Sequence, residues 1–334
     1  MNLPVTVLGG YLGVGKTTLL NHVLRAPGGL RLAVLVNDFG DIGIDADLVE
    51  AQEGDVLNLA GGCACCSFGS DLVGALGKLA QRQPQFDHVL IETSGVALPR
   101  AVACSVALIS SLALDAVIVV VDAETVRRRA ADRYVGDTVC TQLAQADLIV
   151  ANKLDLIDAN AAMDLHAWLH RQAPAARIVD ARLGAVPAEV FLGQALGAFA
   201  GGGNAPAARD FAGTDASSPF NGNRDARLRR VIAPAADNFD SIGFQFSSPV
   251  DLARLRKELV DPILGIIRAK GLMRDCDGTP KSFQLVGSRT DVRAFSYADT
   301  ERGRLVCIGL SGRLDPDAIA ARLDVAQQIT PACS

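Results

Sequence analysis

Gly10-Tyr11-Leu12-Gly13-Val14-Gly15-Lys16-Thr17 has the spacing G-x-x-x-x-G-K-[ST]. Glycines let such a loop curl until several N–H groups point at one spot. The helix that follows turns its positive end to the same place. That arrangement suits the phosphates of a nucleotide. Lys16 is then expected to reach the β- and γ-phosphates and the Thr17 hydroxyl to ligate Mg²⁺, with Gly10, Gly13, Val14, Gly15 and Thr18 completing the cradle. An ordinary glycine turn before a helix is the bland alternative. The full pattern, with an apolar strand before it and an amphipathic helix after it, argues for a P-loop.

Asn152-Lys153-Leu154-Asp155 follows a later apolar run and addresses the base. The Asp155 carboxylate can accept from both the N1–H and the N2 amino group of guanine. Adenine offers no such pair, so the carboxylate would be left unmatched. GTP is therefore expected over ATP, with Asn152 supporting the loop and contacting the base edge while the Lys153 stem covers the ring. Asp87 to Gly95 reads as a strand ending in Glu-x-x-Gly. Glu92 can stand behind Mg²⁺ or orient the attacking water, and the Gly95 N–H can sense the γ-phosphate. The segment from Asn37 to Asp45 follows the second strand, where a switch belongs, and Asp38 is the candidate there for a Mg²⁺ or water contact. Asp38 and Asp41 also read as simple turn residues.

Cys63, Cys65 and Cys66 place three thiols within four positions, after a glycine pair and before an expected helix. They cannot all enter one core, and neighbouring cysteines rarely pair without strain. Thiolates near a helix N-terminus and a Mg–nucleotide have lowered pKa values and favour a soft divalent ion. Small buried residues in a turn are the other reading.

Positioning these groups demands a particular scaffold. Continuous apolar runs such as LAVLV and AVIVVV suit strands buried on both faces. The pattern predicts strands at Val5–Leu8, Leu32–Val36, Val56–Leu59, His88–Ile91, Ala116–Val121, Leu148–Ala151 and Arg177–Val179. Helices are predicted at Lys16–Leu24, Asp71–Ala80, Glu124–Ala130, Asp137–Leu143 and Ala161–His170. Alternating βα units imply an α/β domain, a doubly wound and mostly parallel sheet, with its ligand at the carboxyl ends of the strands. This domain is assigned to 1–200. Residues 201–227, rich in Gly, Ala, Pro and Ser, read as a flexible linker. Residues 228–327 predict strands at Leu228–Ile232, Ile242–Phe246, Lys281–Val286, Val292–Ser296 and Leu305–Ile308, with helices at Val250–Leu259 and Pro316–Leu323. Strands separated by the turns GSRTD and DTERG point to a smaller α+β domain with an antiparallel sheet.

With 334 residues, 49% hydrophobic and 21% charged, the chain has material for a sizeable core and does not read as disordered. Thirty-two basic against 37 acidic residues give a net charge of −5. That speaks against nucleic acid or an anionic membrane as the main partner. The longest apolar stretch, Ala101–Leu114, falls short of the roughly 20 residues a membrane helix needs. MNLPVTVLGG lacks the basic start of a signal peptide. A cytoplasmic protein is expected, in which eight cysteines read as metal or redox chemistry rather than disulfides.

The segments GGYLGVGKTT, NDFGDIGID, GGCACC, ETSG and NKLD, in this order, resemble the CobW group of P-loop GTPases, relatives of the urease and hydrogenase nickel-insertion GTPases. IIRAKGL and LVCIGL resemble that group's small C-terminal domain, so the likeness spans most of the chain apart from the linker. The resemblance implies a Mg²⁺-dependent GTPase cycling between GTP and GDP. It implies Zn²⁺ or Co²⁺ bound by the thiolates of Cys63, Cys65 and Cys66 and delivered to a client metalloprotein or a metal-cofactor assembly enzyme, with a homodimer as one arrangement. The group more often has Glu at the place of Asp38, and many members carry a histidine-rich stretch near the linker, whereas here no His follows His170. Two other readings stay open: a regulatory GTPase with structural cysteines, and a metal-sequestering protein with little turnover.

Several other residues read as structural. His166 and His170 stand at helical spacing without a third ligand on their helix, which suits a solvated face. Cys104, Cys140 and Cys307 fall in apolar segments and are expected in the core, Cys333 in a frayed tail. Cys276 is expected in a turn, with a distant-ligand role as its alternative, and Arg127 to Arg129 form a charged helix face.

Overall fold

In a computed structural model of the chain, describing residues 2–27, 29–36, 56–58, 70–81, 86–192, 231–235, 239–246, 248–294 and 303–327, the continuous apolar runs become parallel strands. These are β1 (Leu3–Gly9), β2 (Leu32–Val36), β3 (Val56–Asn58), β4 (His88–Glu92), β5 (Leu112–Asp122), β6 (Leu148–Asn152) and β7 (Arg177–Asp180). They form one seven-stranded sheet in the order β3-β2-β4-β1-β5-β6-β7, every pair parallel. All residues of β2, β4 and β6 are buried, as a sheet covered on both faces requires. One core cluster joins Val5, Val7, Leu35, Val89 and Ile91 to Leu72, Leu76 and Leu79 of the helix Ser70–Ala80 and to Val102 and Val106 of the helix Pro99–Ala107. A second joins Val119, Val121 and Ile149 to Val139 and Leu143 of the helix Gly136–Ala144 and to Leu165 and Leu169 of the helix Ala159–Gln172. The strand carrying the P-loop thus lies centrally, with the ends of β4 and β5 beside it.

The register of β1 on β5 shifts between Val5 and Thr6, so that Asp115 is skipped. There Thr6 Oγ1 lies 2.8 Å from His88 Nε2 and donates to Asp115 Oδ2 at 3.4 Å. All three residues are sealed inside the sheet.

A separate compact unit carries the rest of the described chain apart from Val286–Ser288, which group with the first. Its strands are β8 (Val231–Ala235), β9 (Phe239–Phe246), β10 (Ile266–Arg274), β11 (Pro280–Val286), β12 (Arg289–Ala294) and β13 (Gly303–Leu310), in the order β12-β11-β10-β13-β9-β8. β13 pairs antiparallel with β10 and β9, and β9 with β8. Ile242, Phe244, Ile266, Met273, Phe283, Leu305 and Cys307 pack against Leu252, Leu255 and Leu259 of one helix (Leu252–Leu259) and against Ile319 and Leu323 of another (Pro316–Gln327). Asp251 starts the first of these by accepting from Arg254 N at 2.9 Å.

Several expectations are corrected. β10 is a strand that the sequence pattern hid: its register shifts between Ile266 and Arg268, which breaks the two-residue alternation. The stretch Ala101–Leu114 is split between the helix ending at Ala107 and β5, which begins at Leu112 rather than at Ala116. The buried face of that helix carries Pro99, Val102, Ala103 and Val106, so Cys104 is exposed and not core. The turn placed over GSRTD is shorter, because β12 already begins at Arg289 after Gly287 takes φ +61°. A short helix at Ala188–Leu192 was not anticipated. The linker at 201–227 lies outside the described residues. Among the described residues no helix is long and apolar enough to cross a membrane.

Candidate nucleotide site

The P-loop leaves β1 through Gly10 (φ 134°), Gly13 (φ 73°) and Gly15 (φ 96°), dihedrals that other residues adopt only under strain. A Cβ at Gly10 would collide with the Val120 carbonyl, and one at Gly15 would lie 2.5 Å from Asn152 Nδ2. Around Gly13 nothing lies within 4 Å of the same construction. The loop is therefore pressed against the sheet on one side and open on the other. Gly15 caps the helix Lys16–Arg25 without a side-chain hydrogen bond, and its first turn holds no acidic residue. The first N–H groups and the positive end of the dipole are left for an anion.

Lys16 is largely buried, its Nζ donating to Gly10 O at 3.0 Å and to Tyr11 O at 3.3 Å. Val14 is buried and Thr18 exposed. Thr17 Oγ1 donates to Glu92 Oε1 at 3.1 Å, across 75 residues of sequence. Parallel pairing sets this up, since Leu8 at the end of β1 is in register with Glu92 at the end of β4. Hydroxyl and carboxylate oxygens are the hard donors that Mg²⁺ takes, so this pair fits the ion. Beyond Glu92, Thr93 N bonds Leu8 O at 2.9 Å, and the chain turns so tightly that a Cβ on Gly95 would lie 2.8 Å from Leu12 N. The glycine lets this turn lie directly on the P-loop. Thr93 Oγ1 and Ser94 Oγ are buried with no hydrogen-bond partner among the described residues.

Asn152 ends β6 and uses both ends of its amide: Nδ2 donates to Val14 O at 3.0 Å, and Oδ1 accepts from Gly184 N at 3.0 Å. These bonds tie the P-loop to β6 and use one of the two Nδ2 hydrogens. Lys153 (φ 63°) reaches back over the P-loop, its Nζ donating at 2.9 Å to both Gly13 O and Asp122 Oδ2. Burial pushes the Asp122 carboxyl up. The Lys153 ammonium and the Glu124 and Thr125 contacts outweigh that and hold it below the usual carboxylate range. Asp155 sits in the short turn Leu154–Leu156 and is exposed, with no hydrogen bond to another described residue.

Four participants escaped the sequence reading. Asp122, closing the run AVIVVVD, anchors Lys153; a lone carboxylate at the end of an apolar strand was the available signal. Gly184 (φ 71°) meets Asn152 and fits against Leu19 N, where a Cβ would be 2.8 Å away. Arg129 is not merely part of a charged face: its guanidinium donates to Leu12 O and lies 5.2 Å from the Tyr11 ring centre. Gln142, inside an amphipathic helix, is bound to the turn at Gly95.

Asp38, Asp41, Cys63, Cys65, Cys66 and Cys333 lie outside the described residues. Among the described residues no group of three or more His, Cys, Asp or Glu side chains could hold a metal ion. His166 bonds Asp180 Oδ1 at 2.7 Å, and His170 is exposed, as a solvated face implies. Cys307 is buried, Cys140 half-buried, and Cys276 lies in the turn between β10 and β11.

A family model described as CobW/HypB/UreG, nucleotide-binding domain, matches residues 4–180, and one described as Cobalamin synthesis protein cobW C-terminal domain matches residues 239–327. The chain is 30% identical over 362 aligned positions to a protein named Zinc chaperone CobW from Sinorhizobium sp, covering 96% of this chain and 95% of that one. It is 36% identical over 169 positions to the Zinc-regulated GTPase metalloprotein activator 1 of Schizosaccharomyces pombe, covering 48% of this chain and 41% of the relative. Among solved structures, the Zn(II)-bound YjiA GTPase from E. coli aligns over 98% of this chain and 100% of its own, at 21% identity and a TM-score of 0.41.

Proposed function

Because the chain belongs to the CobW/HypB/UreG family of nucleotide-binding proteins, we propose that it is a GTPase that carries a divalent transition metal, zinc or cobalt, and delivers it to a client protein. The observation that supports the nucleotide half is the pair of hydrogen bonds made by the Asn152 amide. It ties Val14 O to the end of β6, the strand that Asp155 follows, and the Thr17–Glu92 pair joins the same loop to the end of β4, which supports this reading. One edge thus offers a carboxylate for the base, loop N–H groups for the phosphates, and oxygens for Mg²⁺.

In this reading Lys16 moves from its loop carbonyls to the β- and γ-phosphates, and the Thr17 hydroxyl holds Mg²⁺ with the Glu92 carboxylate behind it. When bound, the ion neutralises charge between the β- and γ-phosphates. The Gly95 N–H faces the γ-phosphate, and Glu92 or Asp38 orients the attacking water. Cys63, Cys65 and Cys66 supply three soft ligands of a tetrahedral shell, the fourth position staying free for a client ligand. The names of the relatives, a zinc chaperone and a zinc-regulated GTPase metalloprotein activator, support the metal half. Ordering of the segment after β2 by the γ-phosphate would gate the thiolates, tightening metal in the GTP state. The client is a metalloprotein or a metal-cofactor assembly enzyme of the cytoplasm, and a homodimer is compatible with this cycle.

The test of base choice is Asp155→Asn. It removes a charged acceptor from guanine and lowers GTP affinity by about 2 kcal/mol, roughly 30-fold. Unchanged affinity in a fluorescence titration would remove the guanine assignment.

A further inference from the structure

The turn after Glu92 must hold its place against the P-loop, yet its own side chains do little to fix it. Thr93 Oγ1 and Ser94 Oγ make no hydrogen bond to a described residue. The fixing comes from elsewhere. Gln142, only 1% exposed, donates through Nε2 to Gly95 O at 3.1 Å and to Ala97 O at 2.8 Å. Three residues on, Gln145 Oε1 accepts from Arg100 N at 3.0 Å, at the start of the helix that leaves the turn. From the preceding helix, Val126–Ala130, Arg129 holds Leu12 O, and Leu12 is the P-loop residue on which Gly95 packs. Two loops that meet face to face are both fastened to residues 126–145.

We propose that Gln142, seconded by Arg129, is a positioning residue for the γ-phosphate side of the site, acting on hydrolysis and on the distinction between GTP and GDP. The inference rests on the GTPase reading. A buried amide is costly unless both its donors are met. A Met or Leu of similar size would fill this space without that cost, so a packing role does not account for it. Its two donors go to one turn, whose glycine has no slack against Leu12. The base side is held by other residues, Asn152 and Lys153. Loosening the turn therefore disturbs the γ-phosphate end while leaving the grip on the rest of the nucleotide intact.

Gln142→Met removes the donors and keeps the volume; Arg129→Ala is a second variant on a more exposed residue. Full-length protein is assayed by single-turnover GTP hydrolysis, by affinity for GDP and for a non-hydrolysable GTP analogue, and by thermal melting. For Gln142→Met, hydrolysis should slow about 10- to 100-fold, the scale of a displaced catalytic group. GDP affinity should stay within about threefold, and the preference for the GTP analogue should fall. Arg129→Ala should shift the same readouts in the same direction, and it decides the matter if Gln142→Met does not fold. Unchanged hydrolysis, or a loss matched by an equal loss of GDP affinity, overturns the proposal. A wild-type protein without GTP hydrolysis would instead remove the GTPase reading beneath it.

Discussion

Two polar clusters share the parallel sheet, one at each end of β4, about 13 Å apart at 3.3 Å per residue, and they are built to opposite purposes. At the amino end, Thr6, His88 and Asp115 are at most 1% exposed, and Thr6 bonds both of the others across β1, β4 and β5. At the carboxyl end, Thr17, Glu92, Asp122 and Lys153 are bonded as well, but beside an open Gly13 and an uncapped helix start. Burying polar groups is costly unless they are paired. The first cluster turns its bonds inward, away from any ligand, and holds the sheet together. The second leaves donors and oxygens within reach of a ligand, which is what chemistry needs.

This contrast predicts opposite failures. Lys16→Ala should lower kcat/KM for GTP by about 4 kcal/mol, close to a thousandfold, the scale of a lost charge aimed at the transferring phosphates. Its melting temperature should move little, since the ammonium's bonds to Gly10 O and Tyr11 O lie within its own loop. Asp115→Ala should do the reverse. Losing one partner of a buried polar cluster costs about 3 kcal/mol of stability, read by urea titration, while nucleotide affinity in the folded protein stays unchanged. An Asp115 variant that folds normally and fails to bind nucleotide would break the division. The smallest effect concerns Asp122. Its folded carboxyl titrates below the unfolded value of about 3.9, so its pairing with Lys153 stabilises above that pH and fades as pH falls through the lower folded value. Melting curves from pH 3 to 6 should show Asp122→Asn losing about 1 kcal/mol near pH 6, the upper range for a partly exposed pair, with the loss shrinking toward the acid end.

The carboxyl edge was far more legible in the sequence than the amino-end cluster. P-loop and NKLD are dense local patterns after apolar strands, so their residues and their shared edge could be read directly. Glu92 was legible for the same reason, as the charge closing HVLI. Asp122, Gln142 and Gly184 act across 31, 47 and 32 residues of separation, through bonds that no local pattern announces. Thr6, His88 and Asp115 are isolated polar letters in apolar strands that meet across three strands, beside a register shift of β1 on β5. A second shift hid β10, where Arg268 and Lys270 interrupt an apolar run and resemble a loop. Cys104 was misplaced because an apolar stretch says little about which side of a helix packs inward.

The metal half of the account stands or falls on coupling between the nucleotide and the thiolates. A competition titration against a chromophoric chelator, using zinc and full-length protein with Mg-GTP analogue, with Mg-GDP and without nucleotide, measures it directly. The account predicts tighter zinc with the GTP analogue than with GDP by about 5- to 150-fold, with zinc favouring the GTP analogue over GDP by the same factor. Equal zinc affinity in all three states would contradict it.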